Sequence, residues 1–310
     1  MLMSALKSPS LDNIIRLDSN MKNNKVIVTL AIGGRYYGDW KRVCEPNWQA
    51  YADKYGFDIL CLSQPLDNSE RAQKRSVAWQ KCLILGQKCL AQEYERVVWV
   101  DSDIVFNNRT APDVTEGVPL ANVGGAEDIN GSLAEPLAAR RFLERALEYW
   151  PDAVINWTPN EYYTQYGLPP GVNRVVNTGV LVLSPRHHRD VLESVYANYE
   201  EKGGREWHME MRPLSYELVK AQFVHWIDPR FNLMWPYLEL LHYPFLLHPR
   251  QDRQWIAGIK KKLSRMVGLP SIRKVSINAA YQNSFFLHFG GPNTADMESV
   301  NQQATSWLDY

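Results

Sequence analysis

Two aspartates, Asp101 and Asp103, are separated by one residue and directly follow an apolar run at residues 97–100. Carboxylates just past a buried strand are costly unless a cation neutralises them. Their oxygens are suitable ligands for Mg²⁺ or Mn²⁺, and such an ion also bridges the phosphates of a nucleotide. A second apolar run, residues 104–106, follows the pair and argues against a purely exposed turn. The pattern indicates a divalent-metal site, and a strand end with two solvated aspartates is the simpler alternative.

Phosphotransferases of the haloacid-dehalogenase type are one enzyme class that uses such a strand and aspartate pair. In that class the first aspartate is the nucleophile, and a threonine or valine stands two residues beyond the second. Asp101, Asp103 and Val105 match this pattern. That fold also needs a later acidic motif, Asp-Asp or Gly-Asp-x-x-x-Asp, to hold magnesium. The sequence after Val105 contains neither form, so a phosphatase ranks behind the other hypotheses.

The elements that must position the aspartate pair alternate between strands and helices. Apolar, β-branched runs predict strands at residues 26–32, 57–62 and 97–100, and near-helical spacing predicts helices at 39–55 and 76–92. This alternation predicts an α/β fold with a mostly parallel central sheet and helices on both faces. Ligands bind at the carboxyl ends of strands in such sheets, and the aspartate pair stands at one of these ends.

The second half of the chain is less regular. The predicted strands are 118–123, 175–184, 223–227 and 285–289, and the predicted helices are 135–149, 187–199 and 215–222. We predict a flexible leader at residues 1–24 and one domain at residues 25–310 that includes a C-terminal extension.

Composition limits the partners and the location. The 310 residues include 34 basic and 34 acidic side chains, so the charge balance gives no reason to expect a nucleic-acid partner. The four cysteines form no CxxC pair and no zinc-type cluster. There is neither a signal-peptide apolar region nor an apolar run long enough to span a bilayer. These features predict a reduced, cytoplasmic protein.

A basic stretch at residues 258–274 alternates cations with apolar side chains and contains no acid. Such a segment can lie on an anionic membrane surface, which predicts peripheral contact with the inner face of the membrane. A mobile loop that closes over phosphates and an ordinary solvated helix face are the alternatives.

The order of motifs along the chain resembles the GT-A fold glycosyltransferases that use nucleotide diphosphate sugars. The similarity is to the retaining branch that contains glycogenin, the lipopolysaccharide galactosyltransferases and the xyloglucan xylosyltransferases, and it runs from about residue 25 to residue 291. The motifs are VIVTLAIGG, Trp79-Gln80-Lys81, WVDSD, NTGVLVL, Arg230-Phe231-Asn232 and LHFGG. The resemblance implies transfer of a sugar, with UDP the expected nucleotide, to a hydroxyl of a glycan or lipid-linked acceptor, with retention of configuration.

The resemblance also implies a metal site formed by Asp101, Asp103 and His288, with Mn²⁺ or Mg²⁺ as the ion. Asp101, together with Ser102, is expected to contact the nucleotide as well. His288 matches the histidine of the family's C-terminal His-x-x-Gly motif. A histidine satisfied within the core is the alternative for this residue.

Phosphate contacts are implied on both sides of the site. Gly290 and Gly291 match the glycines whose backbone approaches the diphosphate. The lysine that often follows in the family is replaced here by Asn293-Thr294. Arg75 or Lys81 is therefore the candidate for neutralising the phosphates, and an exposed helix cation is the alternative for each.

The nucleotide base is expected over the end of the first strand, at Thr29, Leu30 and Ala31. Tyr36 or Tyr37 is a candidate for stacking on the base, with packing on the core as the alternative.

Sugar contacts are implied by two further positions. Asn177 matches the start of the family's Asn-x-Gly strand, and Gly179 lets the backbone approach the sugar. Asp128 lies in the loop where the family holds an acidic sugar-binding residue, and a solvated loop acid is the alternative.

The expected catalytic residue is Glu210. Retaining relatives carry an Asp-Gln pair in this region, and Glu210-Met211 keeps a carboxylate but lacks the amide. A carboxylate beside the anomeric carbon stabilises an oxocarbenium-like transition state or briefly bonds to it. An exposed acid is the alternative for Glu210, and a non-catalytic or hydrolytic sugar-nucleotide-binding protein is the alternative function.

Overall fold

The computed structural model describes residues 14–16, 23–128, 144, 147, 158–202, 209–246 and 271–303. Apart from residues 144 and 147, the helix predicted at 135–149 lies outside this part of the chain. The basic stretch also lies outside the described residues as far as residue 270. Its contact with a membrane stays a prediction. No helix among the described residues combines the length and the apolar character needed to cross a membrane.

Seven strands form the central sheet within the described residues. Their spatial order is β1 (Ile14–Arg16), β3 (Asp58–Leu62), β2 (Lys25–Leu30), β4 (Arg96–Val100), β7 (Val176–Leu183), β6 (Val123–Glu127) and β8 (Val224–Trp226). Strands β3, β2, β4, β6 and β8 run in one direction, and only β1 and β7 run against them among these seven. The mostly parallel sheet predicted from the sequence is confirmed.

Strands β3, β4 and β7 are buried along their whole length. A strand covered on both faces needs apolar residues at consecutive positions, which explains the continuous runs in the sequence. Side chains alternate between the faces: Val97 and Trp99 pack into one core cluster, whereas Val98 and Val100 pack into the other.

Helices cover both faces of the sheet. In chain order they are α1 (Gly34–Asp39), α2 (Glu45–Tyr55), α3 (Glu70–Gln73), α4 (Lys88–Glu93), α5 (Pro159–Tyr166), α6 (Pro185–Asn198), α7 (Met211–Lys220), α8 (Trp235–His242) and α9 (Ile272–Gln282). Residues of α2, α8 and α9 pack on one face, and residues of α4, α6 and α7 pack on the other. The α/β fold class is therefore also confirmed.

Some predicted boundaries differ from the structure. The helical stretch predicted at 39–55 begins at Gly34 and includes a π-helical turn at Trp40–Cys44. Pro46 does not break it, because this proline lies in the first turn of α2, where a missing N–H costs little. The segment 76–92 is divided into a 3₁₀ helix, Val77–Gly86, followed by α4.

The strand predicted at 118–123 is wrong, because the chain forms β6 from Val123 to Glu127 instead. Two glycines in β6 hide the usual β pattern. A Cβ atom on Gly124 would lie 2.9 Å from Val182 Cβ, and one on Gly125 would lie 2.7 Å from Val176 Cγ1. The glycines are therefore required by the close packing against β7, which sequence periodicity does not show.

Two segments that were given other roles form regular structure. Part of the leader, Ile14–Arg16, forms the edge strand β1, which pairs with β3. The last residues of the basic stretch, Arg273 and Lys274, lie in the first turn of α9, so these two belong to the folded domain.

A second, three-stranded sheet positions the C-terminal motif. It consists of β5 (Ile104–Phe106), β10 (Phe286–His288) and β9 (Leu233–Met234). In the register of this sheet His288 lies opposite Ile104 on one side and Met234 on the other. Because Asp103 immediately precedes β5, this pairing brings the aspartate motif and the C-terminal histidine together.

Candidate active site

A cleft of about 460 Å³ opens where β4 ends and the two sheets meet. One part of its wall is polar and the other is apolar. The polar wall contains Lys81, Asp101, Asp103, Asn177, Glu210 and His288. The apolar wall contains Met209, Met211, Met234, Pro236, Tyr237 and Leu240. The structure therefore gathers residues from distant parts of the chain that the sequence analysis assigned to one site.

Asp101, Asp103 and His288 form a cluster whose ligand atoms lie within 4.8 Å of one another. His288 Nε2 lies 3.2 Å from Asp103 Oδ1 and 4.0 Å from Asp101 Oδ2. Adjacent ligands of an octahedral ion are about 3 Å apart when each metal–ligand distance is about 2.1 Å. Two carboxylate oxygens and one imidazole nitrogen at these separations fit a divalent ion after a small inward shift of Asp101.

The charges of this cluster compensate one another. Burial penalises the ionised Asp103 carboxylate, but the neighbouring His288 imidazole outweighs this and lowers the pKa of Asp103. Burial likewise opposes the charge of His288, and Asp103 outweighs it and raises the histidine pKa. Burial raises the pKa of Asp101, although Lys81 and His288 oppose this change. The site thus favours positive charge between its carboxylates.

Lys81 connects the metal cluster to the candidate catalytic residue. Its Nζ lies 2.8 Å from Glu210 Oε1 and 3.2 Å from Asp101 Oδ1, and it donates to the Thr178 carbonyl at 3.2 Å. The side chains of Lys81 and Glu210 are each only 4% exposed. Burial alone would discharge the ammonium group, but the carboxylates of Asp101 and Glu210 outweigh it and raise the pKa of Lys81. Lys81 is therefore a charged group within the cleft.

A chain of buried side-chain hydrogen bonds reaches His288 from the opposite side. Asn177 Nδ2 donates to Asp128 Oδ2 at 2.7 Å, and Asn232 Nδ2 donates to Asn177 Oδ1 at 2.7 Å. Asn232 Oδ1 then lies 2.9 Å from His288 Nδ1. The sequence analysis gave Asn232 no role, and its only signal was its place in the Arg-Phe-Asn motif. Asp128 is not among the residues that line the cleft, and it contacts the lining residue Asn177 by a hydrogen bond.

Three glycines leave room for this arrangement. A Cβ atom on Gly179 would lie 2.7 Å from His288 Cε1, so this glycine lets the imidazole pack against β7. A Cβ atom on Gly290 would lie 2.9 Å from Met234 Cε. Gly291 has φ of +67°, a left-handed conformation that favours glycine. Gly290 and Gly291 both line the cleft, as expected for a backbone that approaches a ligand.

Arg75 does not reach the site, which corrects its assignment as a phosphate ligand. Its guanidinium donates to the Tyr196 carbonyl at 2.8 Å and forms an ion pair with Glu200 at 2.8 Å. It also stacks on the rings of Trp79 and Tyr196. Of the two candidate cations, only Lys81 lines the cleft.

The residues expected around the nucleotide base lie outside the lining of this cleft. Thr29 and Ala31 are buried at the end of β2, and Leu30 is partly buried there. Tyr37 packs on the core, with its ring centroid 6.1 Å from that of Trp40. The carbonyl of Ser102 accepts a hydrogen bond from Cys44 Sγ at 3.3 Å. Base binding by these residues stays a prediction.

Sequence comparison alone identifies no relative: no protein-family model and no curated protein matches the chain. Structural comparison finds a similar fold. The bifunctional glycosyltransferase WbbM matches 94% of this chain over 51% of its own length, with a TM-score of 0.51 and 11% identity. This chain has a GT-A fold.

Two further solved structures are similar over most of their length. A glycosyltransferase involved in glycosylation of the major capsid of PBCV-1 matches 88% of this chain and 97% of its own, with 15% identity and a TM-score of 0.44. The galactosyltransferase LgtC, in complex with donor and acceptor sugar analogues, matches 86% and 87%, with 12% identity and a TM-score of 0.43. The match to WbbM, at a TM-score of 0.51, confirms the GT-A fold expected from the ordered motifs. In this fold the aspartate pair lies between β4 of the central sheet and β5 of the second sheet.

Proposed function

We propose that this protein is a metal-dependent glycosyltransferase that moves a sugar from a nucleotide diphosphate sugar to an acceptor hydroxyl. One observation carries the proposal: the ligand atoms of Asp101, Asp103 and His288 lie within 4.8 Å of one another, in the cleft that Lys81 and Glu210 also line. A metal site, a buried cation and a carboxylate are the groups needed to bind a diphosphate and to stabilise positive charge on a sugar.

Mn²⁺ or Mg²⁺ is the proposed cofactor, because carboxylate oxygens dominate the ligand set. Bound between Asp101, Asp103 and His288, the ion would act as a Lewis acid on the leaving diphosphate. Lys81 adds a second positive charge close to this ion, because its Nζ lies 3.2 Å from Oδ1 of the proposed ligand Asp101. Gly290 and Gly291 also line the cleft, where their backbone would approach the phosphates.

Glu210 is the proposed catalytic carboxylate. It lies at the N-terminus of α7, is 3% exposed and lines the cleft. Thr178 Oγ1 donates to its Oε1 at 3.0 Å, and Lys81 forms an ion pair with the same oxygen. These two partners hold the carboxylate in place, where it would stabilise an oxocarbenium-like sugar. Retention of configuration and a UDP donor follow from the family resemblance and are part of the proposal.

The apolar wall supports an acceptor with an apolar face. Tyr237 offers an aromatic ring, and Met209, Met211 and Met234 offer flexible thioethers that adapt to the shape of a ligand. A glycan or a lipid-linked sugar fits this chemistry. A lipid-linked acceptor would bring the protein to the inner face of the cytoplasmic membrane, with residues 258–274 as the proposed contact.

The test is calorimetric titration of UDP, GDP and their sugars in the presence of Mn²⁺ and again after chelation. We expect metal-dependent binding of one nucleotide that Asp103→Ala abolishes. Asp53→Ala is the matched control, because Asp53 is an exposed aspartate on α2. Absence of binding to every nucleotide by the folded protein contradicts the proposal.

Product analysis with and without acceptors then identifies the reaction. A glycoside formed only with acceptor supports transfer. Free sugar, or no product despite donor binding, instead favours the hydrolytic or the non-catalytic alternative.

A further inference from the structure

We propose that Asn232 is a positioning residue that fixes the tautomer and the ring orientation of His288, and that Asn177 in turn fixes the orientation of Asn232. The proposal rests on the metal site of the proposed function. It concerns how the protein presents one nitrogen of His288 to an ion, which the ligand cluster alone does not explain.

The argument begins with two groups whose hydrogen-bonding roles are unambiguous. A backbone N–H only donates, and a carboxylate oxygen accepts. The Gly179 N–H donates to Asn177 Oδ1 at 3.0 Å, and Asp128 Oδ2 accepts from Asn177 Nδ2 at 2.7 Å. Both contacts require the same orientation of the Asn177 amide, with its oxygen toward Gly179 and its nitrogen toward Asp128.

That orientation determines the next amide. Asn177 Oδ1 accepts a second hydrogen bond, and its partner must therefore be the NH₂ group of Asn232, at 2.7 Å. The amide oxygen of Asn232 then faces His288 Nδ1 at 2.9 Å. An oxygen acceptor in this position requires a proton on Nδ1.

A neutral His288 with its proton on Nδ1 has its lone pair on Nε2. Nε2 is the nitrogen that lies 3.2 Å from Asp103 Oδ1 and 4.0 Å from Asp101 Oδ2. A metal ligand must offer an unprotonated nitrogen, so the hydrogen-bond chain selects the tautomer that can bind an ion.

Burial makes this selection strict. Asn177, Asn232 and His288 are each 6% exposed, and Asp128 is 1% exposed. Water cannot readily replace a missing partner at these positions, so an inverted amide would leave buried polar groups unsatisfied. The absent Cβ of Gly179 leaves space for the ring, since that atom would lie 2.7 Å from His288 Cε1 and 2.8 Å from Nδ1.

The first test measures Mn²⁺ affinity by electron paramagnetic resonance, without nucleotide. Asn232→Leu removes the acceptor for Nδ1 at similar volume, and we expect a Kd about 10- to 100-fold higher. Asn278→Leu is the matched control. Asn278 is also buried, but it donates to the carbonyls of Lys274 and Ser299, away from the cleft. Its Mn²⁺ affinity should stay at the wild-type value.

A conservative variant separates positioning from packing. Asn232→Asp keeps an oxygen acceptor for His288 Nδ1 while it loses the donor to Asn177, so it should bind Mn²⁺ at least as tightly as wild type. A merely structural role would weaken the Asp and Leu variants alike. Equal weakening, or an unchanged Kd for Asn232→Leu, overturns the inference.

Nuclear magnetic resonance of ¹⁵N-histidine-labelled protein gives a readout independent of affinity. With diamagnetic Cd²⁺ bound, wild-type His288 should show its proton on Nδ1. A proton on Nε2 in the wild type contradicts the inference directly. Failure of the proposed function has a different signature, namely that the wild type itself binds no Mn²⁺ in a manner sensitive to Asp103→Ala.

Discussion

Two groups of charged side chains in this protein each join one cation to an aspartate and a glutamate, and they differ in the cation and in their surroundings. In the cleft, Lys81 lies between Asp101 and Glu210. Between α8, α9 and the C-terminal 3₁₀ helix (Gly291–Ser299), Arg273 lies between Glu239 and Asp296. We call them the lysine triad and the arginine triad. Each joins one cation to two carboxylates from different elements.

In the arginine triad all three guanidinium nitrogens contact carboxylates. Arg273 Nε lies 2.9 and 3.0 Å from the two oxygens of Asp296, and Nη1 bonds to Glu239. Burial opposes its charge, but hydrogen bonds to Asp296 and Glu239 outweigh this and raise its pKa. Trp235 Nε1 also donates to Asp296 at 3.2 Å. A planar guanidinium held in this way is a clamp between helices.

The lysine triad lines the cleft. Its ammonium group is a point charge, and one of its carboxylates, Asp101, belongs to the proposed metal site. The Asp101 side chain is 30% exposed, whereas Lys81 beside it is 4% exposed. The comparison teaches that a forked guanidinium suits a contact between elements of the fold, whereas an ammonium point charge suits the cleft that we propose receives a ligand.

Removal of the cleft cation should have the largest effect. We expect Lys81→Met to reduce the sugar-transfer rate about 100- to 1,000-fold, because the leaving diphosphate loses one positive neighbour. The measurement is the initial rate at saturating donor, after circular dichroism has shown that the variant is folded. A rate within threefold of wild type would place Lys81 among structural cations and remove the contrast with Arg273.

The decrease in the free energy of unfolding at acid pH should come from the buried His188 and from neither triad. Burial, helped by nearby His187 and Arg96, lowers the pKa of His188 to about 4, and its Nδ1 accepts from the Ser184 N–H. The unfolded histidine, with a pKa near 6.5, takes up its proton first as the pH falls. The free energy of unfolding therefore decreases between about pH 6.5 and pH 4, by at most about 3 kcal/mol, and this contribution is constant above that window.

Urea denaturation across this pH range checks the prediction. His188→Leu should make the free energy of unfolding less dependent on pH in this range. The substitution removes the buried imidazole, whose pKa differs between the folded and the unfolded state. His242→Gln is the control, since His242 is exposed and is not among the groups that lower the pKa of His188, so its replacement should keep the slope. A slope that persists in His188→Leu would assign the acid response to other groups, the two triads included.

Removal of the arginine clamp should have the smallest effect on activity. Arg273 is 34% exposed, so solvent screens part of its interaction. We expect Arg273→Met to lower the free energy of unfolding by about 1–2 kcal/mol, with donor affinity changed less than threefold. Thermal denaturation and calorimetry measure the two quantities. A large loss of donor affinity with normal stability would show that this triad also belongs to the site.

The central strands and the aspartate pair were predictable because their signals are local. The runs in β2, β3 and β4 are apolar at consecutive positions since both faces of these strands are buried. The predicted position of strand β6 was wrong. Its glycines are required by the close packing of β7 side chains, and glycines give no alternation of apolar and polar residues from which a strand could be predicted.

The site could be predicted only in part. Asp101, Asp103 and His288 were named from motifs, and the structure brings them together. Arg75 and Lys81 were equivalent in the sequence, yet one pairs with Glu200 and the other with Glu210. The two residues are six positions apart in the sequence. Only the packing of the segment that contains them decides which side chain enters the cleft.

The sequence by itself determined the alternation of strands and helices, the buried centre of the sheet and the chemistry of the aspartate motif. These follow from hydrophobic periodicity and residue type within short windows. The tertiary structure decided the partners of Asn232, Lys81 and Arg273, which lie 20 to 129 positions away along the chain. Such contacts depend on how β10, α7 and α9 pack against the sheets, and no local pattern carries that information.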